Sequence, residues 1–294
     1  IVVFCLEAVV SQLTSSPDNP TIANETSDLT LMWKYNAVSS IIVATFGNIT
    51  GGGDDRIARR IGGHDIIVEA KYQDRFRANI SDSQAWLTIL RVQRSDEGMY
   101  NFRLEPGAGS TISGQLELIV RFSPTLFNNV SGDHSVKERS DLNLYCGASG
   151  KPVPSISWTR VFENVSESQV LHTGTSWKIA SINQTDAGKY RCTAYNGIGS
   201  PVSHTITVKV LFPPKLIHSD QEYKVAVQQS VTLQCQAEGY PEPTFSWSPC
   251  KDSCNTATLT IPELLNDTTY TCTATNSEGS DSANASVGKL PLNG

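Results

Sequence analysis

The sequence carries no surplus of positive charge, no run of 18 apolar residues, no sustained helical period and no initiating methionine. Each absence excludes something. A net charge of −6 with a pI near 5.4 leaves no electrostatic footprint for nucleic acid, and no basic block is present to hold an anionic membrane surface. Without a long apolar run, membrane attachment is expected only through a segment not present in this chain. The five histidines, His64, His134, His172, His204 and His218, stand in no ligand or triad spacing. Gly-Gly-Gly-Asp-Asp-Arg at 51–56 is not followed by Gly-Lys-Ser/Thr, so it is no phosphate loop; it reads as a mobile connection in which Asp54 and Asp55 are solvated. No Arg-Gly-Asp occurs. The expectation is a protein without enzymatic activity, cofactor or metal.

Hydrophobic residues at 39%, with 5 Trp, 9 Tyr and 9 Phe, suffice for packed cores. Short runs of Val, Ile, Thr and aromatics alternate with polar residues between Gly, Pro, Asn and Ser clusters, which predicts an all-β chain. Self-comparison adds a repeat. Gly150–Trp158 and Gly239–Trp247 share Gly-x-Pro-x-Pro-x-x-x-Trp, 89 residues apart, and Cys146 and Cys235 each lie 12 residues before the tryptophan. Cys192 and Cys272 both open Cys-Thr-Ala-x-Asn-x-x-Gly. A fainter copy precedes them: Asp96-x-Gly-x-Tyr100-x-Phe102 answers Asp186-x-Gly-x-Tyr190-x-Cys192. The joints at 122–124 and 211–214 contain proline and are too short for floppy linkers.

A cysteine, a tryptophan 12 residues on, and a second cysteine with a tyrosine two places before it resemble the immunoglobulin superfamily. The resemblance covers nearly the whole chain and implies three tandem Greek-key β-sandwiches. It divides the chain into a signal-peptide remnant at 1–11, a V-set-like domain without core disulfide at 12–121, an I-set domain at 122–211, a shortened I-set or C2-like domain at 212–288, and a linker at 289–294. It implies core bridges Cys146–Cys192 and Cys235–Cys272, core tryptophans Trp158 and Trp247, and corner tyrosines Tyr190 and Tyr270. Aligning Ser27–Trp33 on Ser140–Cys146 puts Trp33 and Phe102 where the first domain's cysteines would stand, so a Trp33–Phe102 contact is expected to replace the bridge. Leu87, Ile89 and Val92 keep the inward pattern of strand E. Arg75 and Asp96 are placed for the ion pair across the bottom of a variable-type barrel. Val43 or Phe46 must fill the missing core tryptophan's space.

In the third domain Trp247 and Leu259 are 12 residues apart, against 21 from Trp158 to Ile179, so a C′ and a full D strand have no room. Cys250 and Cys254 lie in that gap and most economically bond each other, since a zinc site needs four ligands. Its Asp-x-Gly-x-Tyr is replaced by the shorter Asn266–Tyr270, which predicts a tighter E–F turn. Cys5 is left over, in an apolar stretch that reads as the tail of a signal peptide with Val9-x-Ser11 before cleavage, or else as an ordinary first strand. Sequons stand at Asn24, Asn48, Asn79, Asn129, Asn164, Asn183, Asn266 and Asn284. With the disulfides they indicate a glycosylated, extracellular or cell-surface setting.

The resemblance further implies binding through the sheet of strands G, F, C and C′ of the first domain. Pleat parity puts Met99, Asn101, Arg103 and Glu105 outward on strand F, and the C′ region adds Arg56, Arg59 and Arg60. Such a patch of both signs can complement itself about a two-fold axis. Asn24 and Asn79 are expected on the opposite sheet or its edge, whereas Asn48 is close to this face. The layout is similar to carcinoembryonic-antigen-related, allorecognition and neural adhesion receptors. The expected function is cell adhesion or recognition, the partner another cell-surface protein or a second copy of the chain itself. The alternatives are the ectodomain of a signalling receptor of kinase or phosphatase type, and a secreted defence or matrix protein.

Overall fold

The computed structural model describes residues 12–290 except 51–52, 163–168, 219–220, 227–228, 251–253 and 264–265. Cys5, the leader expected at 1–11 and the sequon at Asn164 lie outside the described residues. Packing divides the chain into two compact units. One comprises residues 1–126, 148–155 and 194–202, and the other comprises the remainder.

Among the described residues the first sandwich comprises ten strands: β1 (Leu13–Ser15), β2 (Thr21–Asn24), β3 (Leu29–Tyr35), β4 (Ile41–Thr50), β5 (Gly53–Ile61), β6 (Ile67–Val68), β7 (Phe76–Ile80), β8 (Gln84–Ile89), β9 (Gly98–Pro106) and β10 (Ile112–Leu126). Strict alternation makes the layers: Leu31, Trp33 and Tyr35 of β3 are buried between exposed Thr30, Met32 and Lys34, as a half-buried strand requires. The back sheet runs β1-β3-β8-β7. The front sheet runs β10-β9-β4-β5-β6, with β2 alongside β10 in parallel. Gly53–Arg56, expected in a mobile connection, instead belong to β5, because the hairpin ladder continues to the Thr50–Gly53 pair.

Between the sheets Trp33 and Phe102 stack with centroids 5.5 Å apart. Phe46 completes the group, 5.7 Å from Trp33 and 5.3 Å from Phe102, so Phe46, not Val43, fills the space. All three are fully buried. Gly114, opposite Phe102 on β10, makes room for the indole: a Cβ there would lie 2.7 Å from Trp33 Nε1. Leu87, Ile89 and Val92 join this core. At the base, Arg75 donates to Asp96, whose Oδ2 also accepts the Gln93 amide at 2.7 Å. The Tyr100 hydroxyl donates to the Asp96 carbonyl at 2.8 Å.

Strand β10 runs straight through the boundary expected at 121/122. Its last residues pair with β13 (Ala148–Lys151), as Phe122–Lys151 and Leu126–Ala148. Arg94 lies 3.8 Å over the Phe122 ring, Lys151 reaches Glu97 at 2.7 Å, and Asn196 donates to the carbonyls of Phe122 and Pro152 at 2.9 and 2.8 Å.

The second unit carries the rest of the second sandwich and the third. The second sandwich comprises β11 (His134–Lys137), β12 (Leu142–Tyr145), β13, β14 (Ser155–Val161), β15 (Val170–Thr173), β16 (Ser176–Ile179), β17 (Gly188–Tyr195) and β18 (Val202–Leu216). β12 pairs with β16, and the larger sheet is ordered β11-β18-β17-β14-β15. Cys146 and Cys192 are bonded with Cα atoms 6.4 Å apart. Trp158 is fully buried, its Nε1 donating to Gly174 at 3.2 Å.

The third sandwich comprises β19 (Gln221–Val225), β20 (Val231–Gln234), β21 (Ala237–Tyr240), β22 (Thr244–Ser248), β23 (Thr258–Ile261), β24 (Thr268–Asn276) and β25 (Gly279–Lys289). Its sheets are β19-β25-β24-β22 and β20-β23, and β21 pairs with the end of β18. Among the described residues β22 ends its sheet without the extra strand that β15 supplies in the second sandwich. Cys235–Cys272 crosses the core and Cys250–Cys254 closes the short segment after β22. Asn276 repeats the clamp of Asn196, donating to Phe212 at 3.0 Å and Pro241 at 2.8 Å.

Candidate functional site

The registers of β5, β4, β9 and β10 lay out the outward face of the first front sheet as a grid. One row reads Arg59–Thr45–Arg103–Ser113, the next Arg56–Gly47–Asn101–Gln115, the next Ile49–Met99–Glu117. Above them stand Ile61, Val43 and Glu105. Met99, Asn101, Arg103, Glu105, Arg56 and Arg59 therefore share one surface. Arg60 does not. It pairs with fully buried Ala44, which gives it the inward parity, and it donates from the sheet edge to the Ile80 carbonyl of the other sheet at 2.7 Å.

At the centre an open cleft of about 710 Å³ has Thr45, Gly47 and Asn101 as its floor and Asp55, Arg56, Glu69 and Lys71 as its wall. The wall is internally neutralised. Arg56 pairs with Glu69 at 3.1 Å. Lys71 donates to Asp55 at 2.6 Å and so does the Tyr72 hydroxyl, so Asp55 is paired, not merely solvated. Those two donors, the lysine first, hold the Asp55 carboxyl below its usual range. On the next rows Arg103 pairs with Glu105 at 3.1 Å. Among the described residues no three of His, Cys, Asp and Glu gather as a metal site, and no helix is long and apolar enough to cross a membrane. Charge pairing and open apolar surface suit this face to docking another macromolecule.

The sequence pattern of the immunoglobulin domain matches residues 124–196 and again 213–276. The chain belongs to the immunoglobulin superfamily. Lachesin of Schistocerca americana is 32% identical over 188 residues, covering 62% of this chain and 52% of lachesin. Hemicentin-1 of Homo sapiens is 30% identical over 252 residues, covering 76% of this chain and 4% of hemicentin-1. The chain spans about half the length of lachesin from either insect it matches. A solved complex of Dpr2 Ig1-Ig2 with DIP-Theta Ig1–Ig3 contains a chain that superposes with a TM-score of 0.70 at 23% identity, covering 96% of this chain and 100% of that one. At that identity the likeness is one of fold.

Within the immunoglobulin frame the remaining candidate residues can be placed. Tyr190 donates to the Asp186 carbonyl at 2.7 Å, the same corner as Tyr100, and Tyr270 packs against the third core. Short 3-10 turns at Arg94–Asp96 and Gln184–Asp186 precede the first two corners, and none precedes the third among the described residues. The sequons Asn79, Asn129, Asn183, Asn266 and Asn284 are exposed, Asn79 on the back-sheet edge strand β7. Two sequons depart from expectation. Asn24 ends β2, so it belongs to the front sheet itself, at the edge farthest from β5, because β2 pairs with β10 and not with β3. Asn48 is only 8% exposed. Its partner across the ladder is buried Tyr100, so its side chain points into the core and no glycan fits there.

Parity on β9 could be read from Tyr100, Phe102 and Leu104, but parity on β4 could not, since the first domain lacks the tryptophan that sets it. Thr45, Gly47, Ile49 and the exposed Ile61 and Ile67 were therefore missed. Placing Phe46 inward is the signal that would have found the first three.

Proposed function

We propose that this chain is the extracellular recognition part of a cell-adhesion protein and docks another cell-surface protein, a second copy of itself included, through the outward face of β4, β5 and β9. The observation that supports it is a face free of exposed sequons. On those three strands Asn48 is the one sequon, and it is buried, while the other described sequons lie on different strands or in turns. Exposed isoleucines 49, 61 and 67 lie around paired charges there, a mixture seen at protein interfaces rather than in ligand pockets. Three disulfides fit an oxidising compartment, and the Dpr2–DIP-Theta complex is a precedent for one immunoglobulin chain binding another.

A glycan wedge tests it. Arg103→Asn with Glu105→Thr creates a sequon in the middle of the face. Beads coated with the native chain should aggregate, and beads coated with the wedge variant should not. Aggregation unaffected by an occupied wedge rules out this face. No aggregation of native beads rules out self-recognition and leaves a different surface protein as the partner.

A further inference from the structure

Around the cleft the charges pair within the chain, Arg56 with Glu69, Lys71 with Asp55 and Arg103 with Glu105, but two charges on its flanks do not. Arg59 and Glu117 have no ion-pair or side-chain hydrogen-bond partner among the described residues. Both point outward. Arg59 is opposite Thr45, between inward Ala58 and Arg60, and Glu117 is an exposed residue between buried Leu116 and Leu118. They cannot meet within one molecule. With strands about 4.8 Å apart and same-face rows about 6.8 Å apart, three strands and two rows separate them by roughly 20 Å.

The pair Gly47–Asn101 lies at the midpoint of the line joining them: Arg59 is one strand beyond Gly47 and one row up, Glu117 one strand beyond Asn101 and one row down. An isologous contact repeats every pair about its two-fold axis, and here the axis would pass over the cleft floored by Gly47 and Asn101. An axis crossing the cleft perpendicular to the line carries Arg59 of one copy onto Glu117 of the other, and the reverse. Burying either charge unpaired is costly, whereas the reciprocal contact satisfies both.

We infer that the occupant of this face is a second copy of the chain, held in register by two symmetry-related ion pairs between Arg59 and Glu117 across a two-fold axis over Gly47. This rests on the docking face proposed above, and it adds the partner and the residues that select it.

The test is charge exchange, read by sedimentation of the glycosylated chain. The native chain should sediment as a dimer. Arg59→Glu and Glu117→Arg should each weaken self-association by about tenfold or more, with unchanged melting temperatures. Mixing the two variants should restore a dimer, since each supplies the charge the other lacks, and the double variant R59E/E117R should dimerise alone. A native dimer insensitive to both single variants overturns the ion pair while leaving the face standing. A native dimer lost in both variants but not regained on mixing overturns the two-fold register. A monomeric native chain overturns self-docking altogether.

Discussion

Removing the Phe102 ring should cost the first sandwich about as much as a disulfide is worth to each of the others. Loops of 46 and 37 residues are closed by Cys146–Cys192 and Cys235–Cys272, which in the chain-entropy treatment corresponds to about 4 kcal/mol each. In the first sandwich, burial of Trp33 and Phe102 supplies about 3–6 kcal/mol by area, and stacking adds about 0.5–1.5 kcal/mol per pair. Trp33 Nε1 has no hydrogen-bond partner among the described residues, unlike its counterparts in Trp158 and Trp247, and such an orphan subtracts about 1–3 kcal/mol. The balance is again about 4 kcal/mol. Phe102→Ala should therefore destabilise the first sandwich by about 3–5 kcal/mol, read as lost hydrogen-exchange protection in 29–35 and 98–106. Reductant should do the converse, exposing the second and third sandwiches while protection in 29–35 persists. The reasoning is refuted by a Phe102→Ala cost below about 1 kcal/mol, or by a first sandwich that opens under reduction together with the others.

Gly114→Ala should lower the melting temperature of the first sandwich through a loss of about 1–3 kcal/mol, because its methyl meets the Trp33 indole; a neutral result would mean the indole can shift aside. Glycopeptide mapping should find Asn48 unoccupied and Asn79 occupied, and a glycan on Asn48 in folded protein would contradict the inward parity of β4. The Lys151 ammonium holds the Glu97 carboxyl below its usual range, with the Val120 amide assisting. A depressed carboxylate contributes stability above the ordinary glutamate value and loses it as pH falls through the lowered one. Protection of the Val120 amide, corrected for intrinsic exchange, should thus drop below about pH 4 in the native chain and show no such step in Glu97→Gln.

The chain's class and its repeat were legible in residue spacing, because a bridge between sheets demands cysteine, tryptophan and tyrosine at set distances along strands of period two. The aromatic substitute for the bridge was legible too, since Trp33 and Phe102 occupy both cysteine positions at once. Strand pairing decided the rest. Whether Arg60 faces out or in, and whether Asn48 is a surface sequon or a core residue, depends on the register of β4 against β5 and β9. A one-residue change there exchanges the two faces, and the pairing energy that sets it comes from strands distant in sequence. The cleft over Gly47, the separation of Arg59 from Glu117, and the passage of β10 through the expected boundary are likewise properties of neighbours that only folding brings together.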